Sequence, residues 1–139
     1  MLSTVYSCAV IGIEGSLVEV ETDISNGIPV FDMVGLGGTA VKESRERVRA
    51  AVKNSGFDFP IRRITINLAP ADMRKEGSAF DFPISIGILA ATGQVNPDLL
   101  SKSMFVGEVS LEGNLKPVSG ILSMVTCAKE RGMENIFVP

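Results

Sequence analysis

The sequence contains no histidine. That absence removes the side chain most used as a general base, as a zinc ligand and as a switch near neutral pH, so any chemistry must rest on other groups. Cysteine is nearly absent. Cys8 and Cys127 are the only two, they lack Cys-x-x-Cys spacing and have apolar neighbours, and they read as buried free thiols in a reducing compartment. No run approaches the roughly 18 consecutive apolar residues of a membrane span, and the first ten residues lack a basic segment followed by a long apolar one. Neither insertion nor secretion is indicated, and a cytoplasmic location is expected. A surplus of basic charge is also missing. The 139 residues carry a net charge of -3, whereas a dedicated nucleic-acid binder is usually basic overall; a local basic stripe remains compatible with that balance. Repeats, low-complexity stretches and linkers are absent. So is the Walker phosphate loop, GxxxxGK followed by Ser or Thr, and no residue here is assigned to ATP.

What is present, 45% hydrophobic and 21% charged residues, fits one compact domain over residues 1–139. Three strand-like runs come first, roughly Thr4 to Ile13, Leu17 to Ile24 and Val30 to Leu36, separated by Glu14-Gly15 and Ser25-Asn26-Gly27. Turns of that kind predict an antiparallel start, and in the second run Glu19, Glu21 and Asp23 alternate with Val18, Val20 and Ile24, giving one solvated face. A helix follows from Thr39, a candidate cap, to about Ser55, stopped by Gly56. Val41, Val48 and Val52 share one of its faces, with Ser44 near the edge, and Lys42, Arg45, Arg49 and Lys53 share a neighbouring one. Arg62 to Leu68 reads as a strand, and Phe80 to Thr92 as a helix apolar nearly all round, with Pro83 tolerable only in its first turn. Phe105 to Val109, a hairpin through Glu112-Gly113-Asn114, a helix from Ser119 to Arg131 and a strand at Ile136 to Val138 complete a βββαβαββαβ order. That is an α+β layout. The end at Pro139, just after a strand, leads to the expectation that the chain is a fragment of something longer.

Four features invite chemistry. Gly35, Gly37 and Ala40 match GxGxxA between a strand and a helix, with Asp58 downstream, as a dinucleotide site requires; a strand placed third in an antiparallel set argues instead for a glycine turn without a ligand. The stripe Lys42, Arg45, Arg49, Lys53, extended by Arg62 and Arg63, offers contacts to DNA phosphates or to another subunit, although Glu43 and Glu46 interleave and weaken its field. Ser78 at a helix start is the one serine to test as a nucleophile. Without histidine it would need a lysine of lowered pKa, Lys75 or Lys116, and its plainer reading is as a helix cap. Asp72, Glu76 and Asp81 crowd one loop, but their spacing matches no calcium loop. No metal or cofactor is assigned to this chain.

Several separated blocks, in order, carry a resemblance: Gly35-Leu36, Ala40 through Ala51, Asn67-Leu68-Ala69-Pro70-Ala71-Asp72, Lys75-Glu76-Gly77, Phe80-Asp81-Phe82-Pro83-Ile84, Gly107-Glu108 through Gly113, and Pro117 through Gly120. Over its whole length the chain resembles the N-terminal domain of the magnesium-chelatase-like AAA ATPases of the YifB/ComM family. Gly37-Gly38 departs from it, where relatives tend to carry proline and an acidic residue. The same blocks are similar to the Lon protease domain, which implies a Lon protease-like (ribosomal protein domain 2-like) fold, a mixed sheet with helices packed on it. Placed on that domain, the nucleophile position is Ala79 and the lysine position is Leu122. A methyl group cannot attack a carbonyl and a leucine cannot accept a proton, so the resemblance implies a pseudo-protease with no catalytic residue. It further implies ATP and magnesium in a downstream ATPase module, a hexameric ring, and a motor acting on DNA during uptake and recombination. Within it, Lys42, Arg45, Arg49 and Lys53 are the expected contacts to DNA or to the next subunit.

Overall fold

The computed structural model describes residues 1–75 and 77–139. Strands β1 (Leu2–Ile11) and β2 (Glu14–Ser25) form a long antiparallel hairpin, Leu2 opposite Asp23 and Ile11 opposite Glu14. Next come β3 (Val30–Val34), α1 (Gly38–Asn54), β4 (Arg63–Ala69) and α2 (Asp81–Ala91). A 3-10 helix at Pro97–Lys102 leads into β5 (Ser103–Phe105), β6 (Glu108–Val109), β7 (Leu115–Lys116), α3 (Ile121–Glu130) and β8 (Asn135–Phe137). Six strands join in the order β3-β4-β2-β1-β5-β8, and β6 pairs with β7 in a separate two-stranded ribbon.

The sheet is mixed, with helices packed on it, as the sequence leads one to expect. Its start is not the antiparallel set of three. β3 never meets β2; β4 lies between them, antiparallel to β2 and parallel to β3, so that β3, α1 and β4 form a parallel crossover unit. The alternation that buries Phe31 and Met33 and exposes Asp32 and Val34 reads the same in either pairing, and the partner is chosen by a strand more than thirty residues downstream. The expected strand Phe105 to Val109 is also divided. At Gly107 the backbone turns aside, its N–H donating to Ala79 O at 2.9 Å and its carbonyl accepting from Phe82 N at 3.0 Å.

Helices lie on both faces. On one, Val48 and Val52 of α1 and Ile84 and Ile88 of α2 pack with Val18, Val20, Ile24, Ile64, Ile66 and Leu68 in the larger core. On the other, Met124, Cys127 and Ala128 of α3 pack with Cys8 and Met104 in a smaller one. Gly15 lets α3 settle on the hairpin: a Cβ there would lie 2.7 Å from Ser123 O and 2.8 Å from Cys8 Sγ. α2, apolar all round, is buried along most of its length, with Pro83 in its first turn as expected.

Candidate functional site

Two places follow from the residues singled out above: the cleft at the start of α2 and the basic side of α1. The cleft, about 530 Å³, is walled by the end of β1, by Arg74 and Gly77 to Phe80, and by Pro117 to Ser119. Ser78 lines it, but does not cap α2. The cap position is Phe80, without a side-chain bond, and Ser78 contributes only its carbonyl, accepting from Asp81 N at 3.1 Å. Ala79 lies beside it, 9% exposed, in the α3-side core.

A serine nucleophile needs a neighbouring base, and the described residues of the cleft supply none. Lys75 is buried with its ammonium turned to backbone carbonyls, donating to Pro70 O and to Met73 O, the latter at 2.8 Å. It faces a different hollow, the one bounded by Gly35 and Gly37. Lys116 is exposed on β7 and does not line the cleft. Leu122, at the position the resemblance gives to lysine, is 81% exposed. Cys8 lines the cleft, but burial, and then Cys127 beside it, push its thiol up to about 12, so it stays protonated and inert. Ser119 brings a second hydroxyl to the cleft that the sequence did not single out; only its place before α3 could have flagged it.

On α1 the four basic residues do not form one free face. Lys42 and Lys53 are exposed. Arg45 is half-buried, donating from Nη1 to Phe31 O at 2.9 Å. Arg49 pairs with Glu46 at 3.2 Å and lies 5.9 Å from the Phe31 ring and 5.5 Å from the Phe59 ring. Arg49, Lys53 and Arg62 share a groove of about 270 Å³ with Phe59 and Ile61. Arg63 belongs to β4. Arg47, which lies off the stripe in helical spacing, is the arginine that pairs with a buried acid: its Nε lies 2.6 Å from Asp81 Oδ2.

The glycine turn departs from its expected context. It sits in a parallel crossover after all, yet Gly35 serves packing, since a Cβ there would collide with the Leu68 carbonyl oxygen. Asp58 precedes β4, at the far end from the turn, where a ribose contact is out of reach. Thr39 lies inside α1 rather than capping it; Gly37 is the cap, with no side-chain bond. Of the loop carboxylates, Asp72 is exposed, Asp81 is buried in the Arg47 network, and Glu76 lies outside the described residues. Among the described residues no group of three or more potential ligands could hold a metal ion.

A family model for subunit ChlI of Mg-chelatase matches residues 20–139. The chain belongs to the Mg-chelatase ChlI family. This ChlI-family chain is 46% identical over 136 residues to the competence protein ComM of Haemophilus influenzae, covering 98% of the chain and 27% of that protein. It is likewise 46% identical over 137 residues to YifB of Salmonella typhimurium, covering 99% of the chain and 27% of that protein. Against a Lon protease of Mycolicibacterium smegmatis it is 29% identical over 139 residues, 94% of the chain and 17% of the protease. The chain thus spans about a quarter of the length of the ComM and YifB relatives. Among the described residues no helix is long and apolar enough to cross a membrane.

Proposed function

We propose that this chain is the non-catalytic N-terminal domain of a cytoplasmic, magnesium-chelatase-like AAA ATPase, with a Lon protease-like fold that has kept its cleft without its chemistry. The observation that carries this is the cleft itself: Ser78 stands there with no base among the described residues, the adjoining position is an alanine, and Lys75 is held by backbone carbonyls. ATP and magnesium belong to a module outside these residues. The Gly35 to Ala40 turn lacks the Walker lysine, and no group of three or more potential metal ligands is present among the described residues.

The domain's own task is to assemble a hexameric ring through the α1 side, the Lys42, Arg45, Arg49 and Lys53 stripe meeting the adjacent subunit. Guiding DNA with the same stripe is the second reading, favoured by the name of the Haemophilus relative, a competence protein, and by the DNA uptake and recombination that the family resemblance implies.

Two measurements test the proposal. A serine-reactive covalent probe on the folded protein should leave Ser78 unlabelled; labelling of the wild type that disappears in Ser78→Ala would revive a hydrolase. In the full-length protein, reversing all four α1 residues to glutamate should abolish assembly or DNA binding, with Lys42→Glu/Lys53→Glu as the variant that touches no internal contact. If assembly and DNA binding both survive, the α1 role is lost.

A further inference from the structure

The two faces of the sheet are covered unequally. α1 and α2 occupy the face of Val18, Val20 and Ile24. On the opposite face α3 sits over the Gly15 and Leu17 end of the hairpin, and the rest is left to polar residues. The strand registers set those residues in rows: Leu2, Asp23, Thr65 and Asp32 in one, Thr4, Glu21, Asn67 and Val34 in the next, then Tyr6 with Glu19. Four carboxylates share this surface with one side-chain cation, Arg63. Glu21 accepts from Asn67 at 2.8 Å and Asp23 lies 3.9 Å from the N-terminal ammonium, while Glu19 and Asp32 are exposed and form no ion pair among the described residues.

From these rows and from α1 on the other side of the sheet, we propose that the uncovered sheet face is the receiving half of a head-to-tail contact with a second copy of this chain, whose α1 supplies the basic half. The inference rests on the ring-assembly reading and names the other partner of the same interface. Size and charge both fit. Lys42 to Lys53 spans about 16 Å of helix, and Glu19 to Asp23 runs about 13 Å along β2, with Asp32 two strands or about 10 Å to the side. Each half also carries exposed apolar companions: Leu2, 72% exposed, and Val34 on the acidic side, Ile61, 84% exposed, beside Lys53 on the basic side. Because the halves lie on opposite sides of the sheet, the contact is heterologous, the type that builds a ring when its rotation closes. A DNA partner fits these surfaces less well. Arg45 and Arg49 are already engaged with Phe31, Phe59 and Glu46, leaving Lys42, Lys53 and Arg62 as a short phosphate track, and the acidic face would have no role.

The test uses the full-length protein in two variants, Glu19→Lys/Asp23→Lys and Lys42→Glu/Lys53→Glu, with the concentration of half-assembly read by analytical ultracentrifugation. Each variant alone should need at least about tenfold more protein to assemble, and an equimolar mixture, in which every contact is again between opposite charges, should return to within about threefold of wild type. Rescue by mixing separates this from misfolding. Wild-type assembly by the acidic-face variant, or failure of the mixture to recover, overturns the inference. If only the Lys42/Lys53 variant fails to assemble, the inference falls and the α1 assembly role stands. If both variants assemble normally and only that one loses DNA, the inference falls in favour of DNA guidance. If neither variant changes assembly or DNA binding, both the inference and the α1 role fall.

Discussion

The Arg47 guanidinium reaches from the middle of α1 to the first residue of α2, where its Nε lies 2.6 Å from Oδ2 of Asp81. Ser44 Oγ donates to Oδ1 of the same carboxylate at 2.7 Å, and Val109 N to Oδ2 at 3.3 Å. Asp81 is fully buried, so this one carboxylate ties α1, α2 and β6 together, and its charge is acceptable only while those donors surround it.

Replacing Arg47 with alanine should therefore lower stability by about 3–5 kcal/mol, the cost of leaving a buried charge with part of its partners removed. Burial pushes the Asp81 carboxyl above its ordinary range, and Arg47, Ser44 and Val109 pull it back. Without Arg47 it rises further. A carboxyl raised in the folded state stabilises fully below its unfolded value and loses that contribution as pH rises through its folded value. The deficit of Arg47→Ala against wild type should thus be smaller near about pH 4.5 than at pH 7, as urea midpoints at the two values would show; a larger deficit in acid would contradict the assignment.

The two ends of the glycine turn should respond in opposite ways. Gly35 has φ of 90° and no room for a Cβ against the Leu68 carbonyl, so Gly35→Ala should cost at least about 2 kcal/mol from strain and overlap together. Gly37 has φ of -77° and open space around it, and it caps α1 without a side-chain bond. Gly37→Ser should gain roughly 0.5 kcal/mol by supplying one. Thermal unfolding of the two single variants distinguishes them directly.

Cys8 should make the protein sensitive to alkali. Its thiol is raised from 9.0 to about 12 by burial and by Cys127, so its contribution to stability is complete below about pH 9 and is lost as pH climbs toward 12, by up to about 1.4 kcal/mol per pH unit for this one group. Denaturant midpoints measured between about pH 9 and 11 should fall for wild type and fall less steeply for Cys8→Ala. The same burial should keep both thiols from alkylation until the chain unfolds.

Local patterns in the sequence carried much of this architecture. The periodicity of Val48 and Val52 and the stop at Gly56 place α1 within a residue or two of Gly38–Asn54, and continuous apolar character correctly marks α2 as buried. The alternation of Glu19, Glu21 and Asp23 with Val18 and Val20 gives β2 its two faces. What local pattern does not contain is the identity of a distant partner. β3 carries the same alternation whether it pairs with β2 or β4, and the glycine turn was placed in the wrong context for that reason. Arg47 looks like any helix arginine until Asp81, 34 residues away, is placed beside it. One signal was visible: Ser44 near the edge of an apolar stripe, a polar group bound for the interior and therefore in need of a partner. The basic stripe was read as one face because helical spacing groups its members; the structure divides them, because Phe31 and Phe59 come from elsewhere to occupy Arg45 and Arg49.

Strand β1 belongs to both cores at once. Val5 and Ala9 face the layer of α1 and α2, while Cys8 and Val10 face α3. Neither layer can come away without stripping one side of the same strand, so the two are bound into one cooperative unit despite having no helix in common. The amide hydrogens of β1 should consequently be among the last to exchange, released only by the opening that dismantles both sides together.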